Sequence, residues 1–290
     1  MAHGVAAAHH HALFAGQDNF EFMSARQADH GSGVIPVDLT DTFTADLVAG
    51  DAAGALAAPS LTTLVSKYVS GDPSVANSAE YNIEITFKGT WTVPLQNAFV
   101  SAAEAISDFV VGDIPSRYYY GRTIDDLSIT AELVPIDGRY GILGSAGPTA
   151  LRSGSYLPLT GSMRFDSADA SYYSSVGLFD DIVLHEMLHT VGLGTIWKYK
   201  GLLSGAGTSA PHFTGALANA AYPGTALIPV ENGGGSGTRD AHWEESVFGN
   251  ELMTGYINSN NDLSYMSVAS LGDLGYAIVS GATYVPPAFI

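Results

Sequence analysis

His185-Glu186-Met187-Leu188-His189 constrains this chain more than any other stretch. It lies within residues 172–193, where Leu178, Ile182, Val183, Met187 and Leu188 recur near helical spacing on or near one face. Two histidines at i and i+4 stand one turn apart on the same side of a helix, so both rings can bind one metal ion. A catalytic zinc takes three protein ligands and keeps one position open, so the fold must bring a third ligand to this helix. Glu186 stands next to the first histidine, within reach of a metal-bound water. Zinc lowers the pKa of such a water to about 7, and a carboxylate there can take its proton as it attacks a carbonyl.

The chain has no cysteine, which excludes a thiolate ligand, an iron–sulfur cluster, a cysteine nucleophile and a disulfide framework. Beyond residue 75 the histidines are His185, His189, His212 and His242. The third ligand is therefore His212, His242 or a carboxylate. The compact form of the motif would place it at position 195, where Thr195 stands, and Gly192 marks the point at which the helix must stop. Residues 201–237 are rich in Gly, Ala, Ser and Pro and show no clear period. They read as a long irregular insertion before a third ligand returns.

Lys plus Arg number 11 against 29 Asp plus Glu, a formal charge of −18 over 290 residues. That balance opposes nucleic acid or an anionic membrane as partner. No apolar run is long enough to span a bilayer. Residues 1–16, with His9, His10 and His11, lack the basic start and apolar centre of a secretory signal and read as a flexible tail. Residues 1–75 are expected to form an N-terminal extension or pro-segment, with a short amphipathic helix at 61–69, and residues 76–290 the main domain. Tyr81, Ile83, Ile85 and Phe87 alternate as a strand does. Pro94 opens a helical run to about Val110. Further strands are expected at 127–136 and 157–165, a Gly-punctuated extended segment at 141–147, a helix over 172–193, and a last one at 268–276. Strand, helix, strands, helix indicates an α/β or α+β layer with helices packed on a sheet.

The segments HEMLHTVGLG (185–194) and AHWEESVFGNELMTGY (241–256), separated by the insertion, resemble the leishmanolysin family of metzincin zinc peptidases. His242-Trp243-Glu244 is similar to that family's third-ligand segment, Met253 in Asn250-Glu251-Leu252-Met253 to its Met-turn, and SVASLGDLGY (267–276) to the segment that follows. The resemblance is specific over about 181–276, covers 81–165 only through element order, and does not reach 1–75. It implies zinc held by His185, His189 and His242, with Glu186 as base. The fold it implies is a two-lobed metzincin-like zincin: an upper lobe (about 76–193) with a twisted sheet and two helices, and an irregular lower lobe (about 194–290) with short helices. The implied function is a secreted or extracellular zinc endopeptidase acting through a zinc-bound water on extended protein or peptide substrates, which lie along an edge strand of the upper sheet. Lack of cysteine points to a bacterial-type relative and excludes a cysteine-switch pro-segment. If residues 1–75 inhibit, a carboxylate or histidine must block the zinc.

Tyr256 is a candidate oxyanion donor beside the Met-turn. Glu244 and Glu245 are the alternative third ligands of a different zincin class whose third ligand is Glu. His212 reads as a loop histidine. Asp125, Asp126, Asp137, Asp166 and Asp169 are candidate calcium ligands, and with no disulfides the acidic loops are expected to draw stability from calcium. A zinc-stabilised binding or adhesion module without turnover is the alternative function, and intact Glu186 argues against it.

Overall fold

The computed structural model describes residues 20–24, 59–139, 142–235 and 237–287. The His9–His11 cluster lies outside these residues. In chain order the first part comprises β1 (Phe20–Ser24), β2 (Lys67–Val69), β3 (Ile83–Gly89), α1 (Val93–Phe109), β4 (Arg117–Tyr119), β5 (Arg122–Ile124), β6 (Leu127–Val134), β7 (Ile142–Leu151), β8 (Pro158–Asp166), α2 (Ser167–Ser175) and α3 (Phe179–Val191). The second part comprises α4 (Trp197–Lys200), β9 (Leu203–Ser204), β10 (His212–Phe213), α5 (Ala216–Ala221), β11 (Ile228–Pro229), α6 (Glu245–Phe248) and α7 (Tyr265–Leu274).

The first part is a mixed α/β layer. Its sheet has the order β1-β7-β8-β6-β3-β2, with β3, β6 and β8 parallel and β2, β7 and β1 antiparallel to their neighbours. Alternation places Ile83, Ile85 and Phe87 of β3 inward. Pro94 sits in the first turn of α1, where its missing N–H costs nothing, and Leu95, Phe99, Ala102, Ala103 and Ile106 form the buried stripe of that helix. Phe99 meets Phe87, Trp91 and Phe165 edge-on, with ring centroids 5.7, 5.2 and 5.8 Å away. Phe165 in turn packs edge-on against Phe179 at 5.4 Å, which seats the start of α3 on the sheet.

Every residue of α3 from Ile182 to Val191 is buried. A helix enclosed on all sides belongs to the core, so His185, Glu186 and His189 lie inside the molecule and not on a solvent face.

Several sequence expectations change. The helix expected at 61–69 is absent, and Lys67–Val69 is instead a strand paired with β3. The residues before it give their backbone groups to side chains of α1. Leu61 N–H donates to Asn97 Oδ1 (2.8 Å), Val65 N–H to Gln96 Oε1 (3.0 Å), and Gln96 Nε2 donates back to the Val65 carbonyl (2.8 Å). β2 precedes residue 76, so the sheet runs across the expected boundary. The single helix expected over 172–193 is two: α2 starts earlier, on the Asp166 cap that accepts from Ala168 N–H and Asp169 N–H, and ends before Gly177, at φ 75°, separates it from α3. The 201–237 stretch holds a three-stranded sheet of order β11-β10-β9 and α5. Among the described residues no helix is long and apolar enough to cross a membrane.

Candidate metal centre

The end of α3 and the return of the chain at residue 242 build the site. Gly192 closes the helix at φ 124°, its N–H donating to the Leu188 and His189 carbonyls. Gly194, at φ 75°, then passes so close to the returning chain that a Cβ there would lie 2.1 Å from the Ala241 carbonyl oxygen. This approach brings His242 against the helix. Thr195, at the position of the compact motif's third ligand, instead gives its hydroxyl to the His189 carbonyl at 2.7 Å.

The three histidines converge through one atom each. His189 Nε2 lies 2.9 Å from His185 Nε2 and 2.9 Å from His242 Nε2, and the third side of the triangle is 3.2 Å. The opposite ring nitrogens face backbone carbonyls: His185 Nδ1 faces Leu252 (2.6 Å), His189 Nδ1 faces Leu193 (2.9 Å) and His242 Nδ1 faces Thr238 (3.0 Å). A carbonyl only accepts, so each Nδ1 carries the proton and each Nε2 turns a lone pair inward. Three lone pairs at this separation repel one another unless a cation lies between them. The triangle is small enough for one ion at the usual Zn–N distance of about 2.0–2.1 Å to touch all three corners. Carbonyls holding the far nitrogen of each ring are the outer partners that metal-binding imidazoles ordinarily have.

All three rings are buried, as is Glu186 at 2% exposure. Burial holds the His185 and His242 imidazoles well below their usual range, and neighbouring histidines push the same way. Burial brings His189 down to about 4. Neutral imidazole is the form that binds a metal ion. Burial alone pushes the Glu186 carboxyl well above the usual carboxylate range. The buried His185–His189–His242 group can thus hold a metal ion.

Residues 251–254 form the wall against His185. The Leu252 carbonyl is its Nδ1 acceptor, Met253 is fully buried, and the Met253 carbonyl accepts from Trp243 N–H at 3.0 Å. Beneath them Glu251, largely buried, accepts from Met253 N–H (2.6 Å), Ser264 N–H (3.2 Å), Ser264 Oγ (2.8 Å) and Ser267 Oγ. Ser267 Oγ accepts in turn from Trp243 Nε1 at 2.7 Å. One carboxylate therefore joins the segment beside His242, the turn beside His185, and α7. Sequence reasoning missed this role of Glu251 and also missed the carbonyl acceptors. Any side chain can accompany a carbonyl, so no residue type marks them.

Among the described residues, no other histidine or carboxylate joins this group. Glu244 accepts from Asn232 Nδ2 (3.0 Å) and Ser246 Oγ (2.9 Å), and Glu245 opens α6. His212 lies in β10. Tyr256 follows the 251–254 turn, half-buried, its carbonyl 3.3 Å from Thr254 Oγ1. Asp166 caps α2, Asp169 lies within that helix and Asp137 follows β6, whereas Asp125 and Asp126 stand together with Asp113. Comparison of the chain with protein-family models and with curated protein sequences found no match.

Proposed function

We propose that the chain is a zinc-dependent endopeptidase of the leishmanolysin-like metzincin type. The observation that supports this most is the convergence of three Nε2 lone pairs beside Glu186, every Nδ1 being tied to a carbonyl. In this reading His185, His189 and His242 hold the ion. When bound, zinc supplies Lewis acidity, acidifying a coordinated water to a pKa of about 7 and polarising a substrate carbonyl. Glu186, buried beside the first histidine, would act in its ionised form, accepting the proton of the attacking water and passing it to the leaving amine. Met253 and Trp243, next in the chain to Leu252 and His242, are fully buried in the core and keep water from that part of the molecule. Tyr256 remains the candidate oxyanion donor. The resemblance and the acidic composition support a secreted or extracellular setting for this activity.

An extended substrate pairs with a sheet edge by main-chain hydrogen bonds. β7 packs on α3, and its outer edge carries β1 in the register Phe20↔Ala146 to Ser24↔Ile142. A substrate reaches β7 in this reading by displacing that strand.

A second reading draws on the burial of Glu186 and the triad, which suits a structural metal in a module without turnover. Metal analysis combined with proteolysis of a casein-type substrate, with and without chelator, separates the two. The peptidase reading expects stoichiometric zinc and chelator-sensitive cleavage, and Glu186→Ala should keep the metal while losing activity by about 10²-fold or more. Wild-type turnover in that variant, or a zinc-loaded protein inert on unfolded substrates, would overturn it.

A further inference from the structure

The −18 charge is met at one place by a built arrangement of oxygens. Asp113, Asp125 and Asp126 bring one carboxylate oxygen each within 4.8 Å of one another, at the start of β6 and far along the chain from the histidine group. Asp126 is buried, and its carboxylate is fixed from both sides by Ile114 N–H on Oδ1 (2.7 Å) and Asn82 N–H on Oδ2 (2.8 Å). Arg152, also buried, donates Nη2 to the carbonyls of Asp125 (2.6 Å) and Asp126 (2.5 Å), which sets the backbone that presents both carboxylates. The guanidinium bonds carbonyls and not carboxylates, so one positive charge stands against three negative ones.

Asn82 supplies the independent observation. The side chain is 97% buried by its 3% exposure, and its Oδ1 has no hydrogen-bond partner. Its Nδ2 is turned to the Ser70 carbonyl beside β2 (2.5 Å) and to Glu80. Asn82 N–H bonds the Asp126 carboxylate, and Asn82 lines a cavity of about 110 Å³ together with Asp125 and Asp126. A buried acceptor without a donor is costly, and an acceptor facing other acceptors is more so. A hard cation satisfies all of them at once, since calcium takes six to eight oxygens from carboxylates, amide carbonyls and water.

We infer that Asp113, Asp125, Asp126 and the Asn82 side-chain carbonyl form a calcium site that fastens the start of β6 to the end of α1 and to β3. The flexible oxygen geometry and room for waters favour calcium over magnesium, which demands a tight octahedron. Burial pushes the Asp126 carboxyl up to about 7, with Asp113 and Asp125 adding to the rise. This site does not depend on the peptidase reading.

The test is calorimetric titration of the full zinc-loaded chain with calcium chloride, together with thermal unfolding in calcium, magnesium and sodium at matched ionic strength. A dissociation constant of about 10⁻⁴–10⁻³ M is expected, with a rise in melting temperature that sodium does not reproduce. Asp113 and Asp125 are the more exposed ligands, so the double variant Asp113→Asn/Asp125→Asn should fold and lose calcium affinity at least tenfold, while Asp137→Asn keeps it. Terbium luminescence, excited through tyrosine and displaced by millimolar calcium, reads the same site in the unaltered chain should the double variant fail to fold. Equal stabilisation by sodium, an unchanged calcium response in the double variant, or terbium that calcium does not displace would each overturn the inference.

Discussion

An imidazole with its Nδ1–H tied to a carbonyl has its Nε2 lone pair aimed, and this distinguishes His242 from His212. His242 is anchored by the Thr238 carbonyl and completes the triangle, whereas His212 sits in a two-residue strand where the chain pairs with β9 and β11. His242→Ala is therefore expected to weaken metal binding by orders of magnitude, and His212→Ala to keep both metal and activity. Metal content after equilibration in a buffered zinc series checks this, and exchanged behaviour of the two variants would reassign the third ligand. The first two histidines were legible because helical spacing is local. His242 lies 53 residues beyond His189, and only its resemblance to a known segment singled it out. Asp113 went unnoticed for a related reason. It comes before the β4–β5 hairpin and Asp125 and Asp126 after it, so only the folded chain brings them together.

The turn at 251–254 shows what an element contributes that no single ligand does. Its Leu252 carbonyl fixes the ring of His185, its Met253 carbonyl holds Trp243 N–H, and Glu251 ties the turn to α7 through Ser264 and Ser267. A glutamine at 251 keeps the shape but replaces one acceptor oxygen with an N–H facing other donors. Glu251→Gln is expected to weaken metal affinity about 10–100-fold, as loss of outer partners of metal ligands does. Its cost in stability is about 1–3 kcal/mol. Competition with a chromophoric chelator measures the first effect, and a core variant of equal instability away from the site controls for the second. Undiminished affinity in the folded Glu251→Gln protein would mean that the Leu252 N–H to Asp262 carbonyl bond holds the turn without it. Elements with strong periodicity were legible: β3, α1, β6, β8 and α7 fall close to where alternation or helical spacing placed them, whereas β7 runs on past the Gly-punctuated extended segment read at 141–147. The stretch 61–69 was misread because it depends on bonds to distant partners, the amides of Gln96 and Asn97, and α2 because the local Asp166 cap and the break at Gly177 were overlooked.

Across the whole molecule, burial acts on the acids in one direction. Glu104, Asp108, Asp126, Asp180 and Asp181 all have carboxyls raised above their usual range, burial being the first cause in each. Asp126 carries the largest resolved consequence, since it titrates near 3.8 when free and near 7 in the fold. Between those values the folded chain holds a proton that the unfolded chain has released. Stability from this group is fully present below about pH 4 and is lost as pH rises through about 7. One pKa unit corresponds to about 1.36 kcal/mol, so the loss amounts to a few kcal/mol at most. The groups that face Asp126 are Asp113 and Asp125, which raise its pKa, and Arg152, Tyr81 and Tyr276, whose own ionisations are coupled to it. Calcium binds the ionised carboxylate and so must reverse this trend. The unfolding free energy of the zinc-loaded chain, measured from pH 5 to 8 in calcium-free buffer, is expected to fall with pH, and to flatten in saturating calcium. Asp126→Asn should start less stable, because an amide cannot accept from both Asn82 N–H and Ile114 N–H, and should show a flatter profile with or without calcium. A slope that persists unchanged in Asp126→Asn would assign the pH dependence to the other buried carboxylates, and a slope that calcium leaves untouched would separate it from the Asp113–Asp125–Asp126 group altogether.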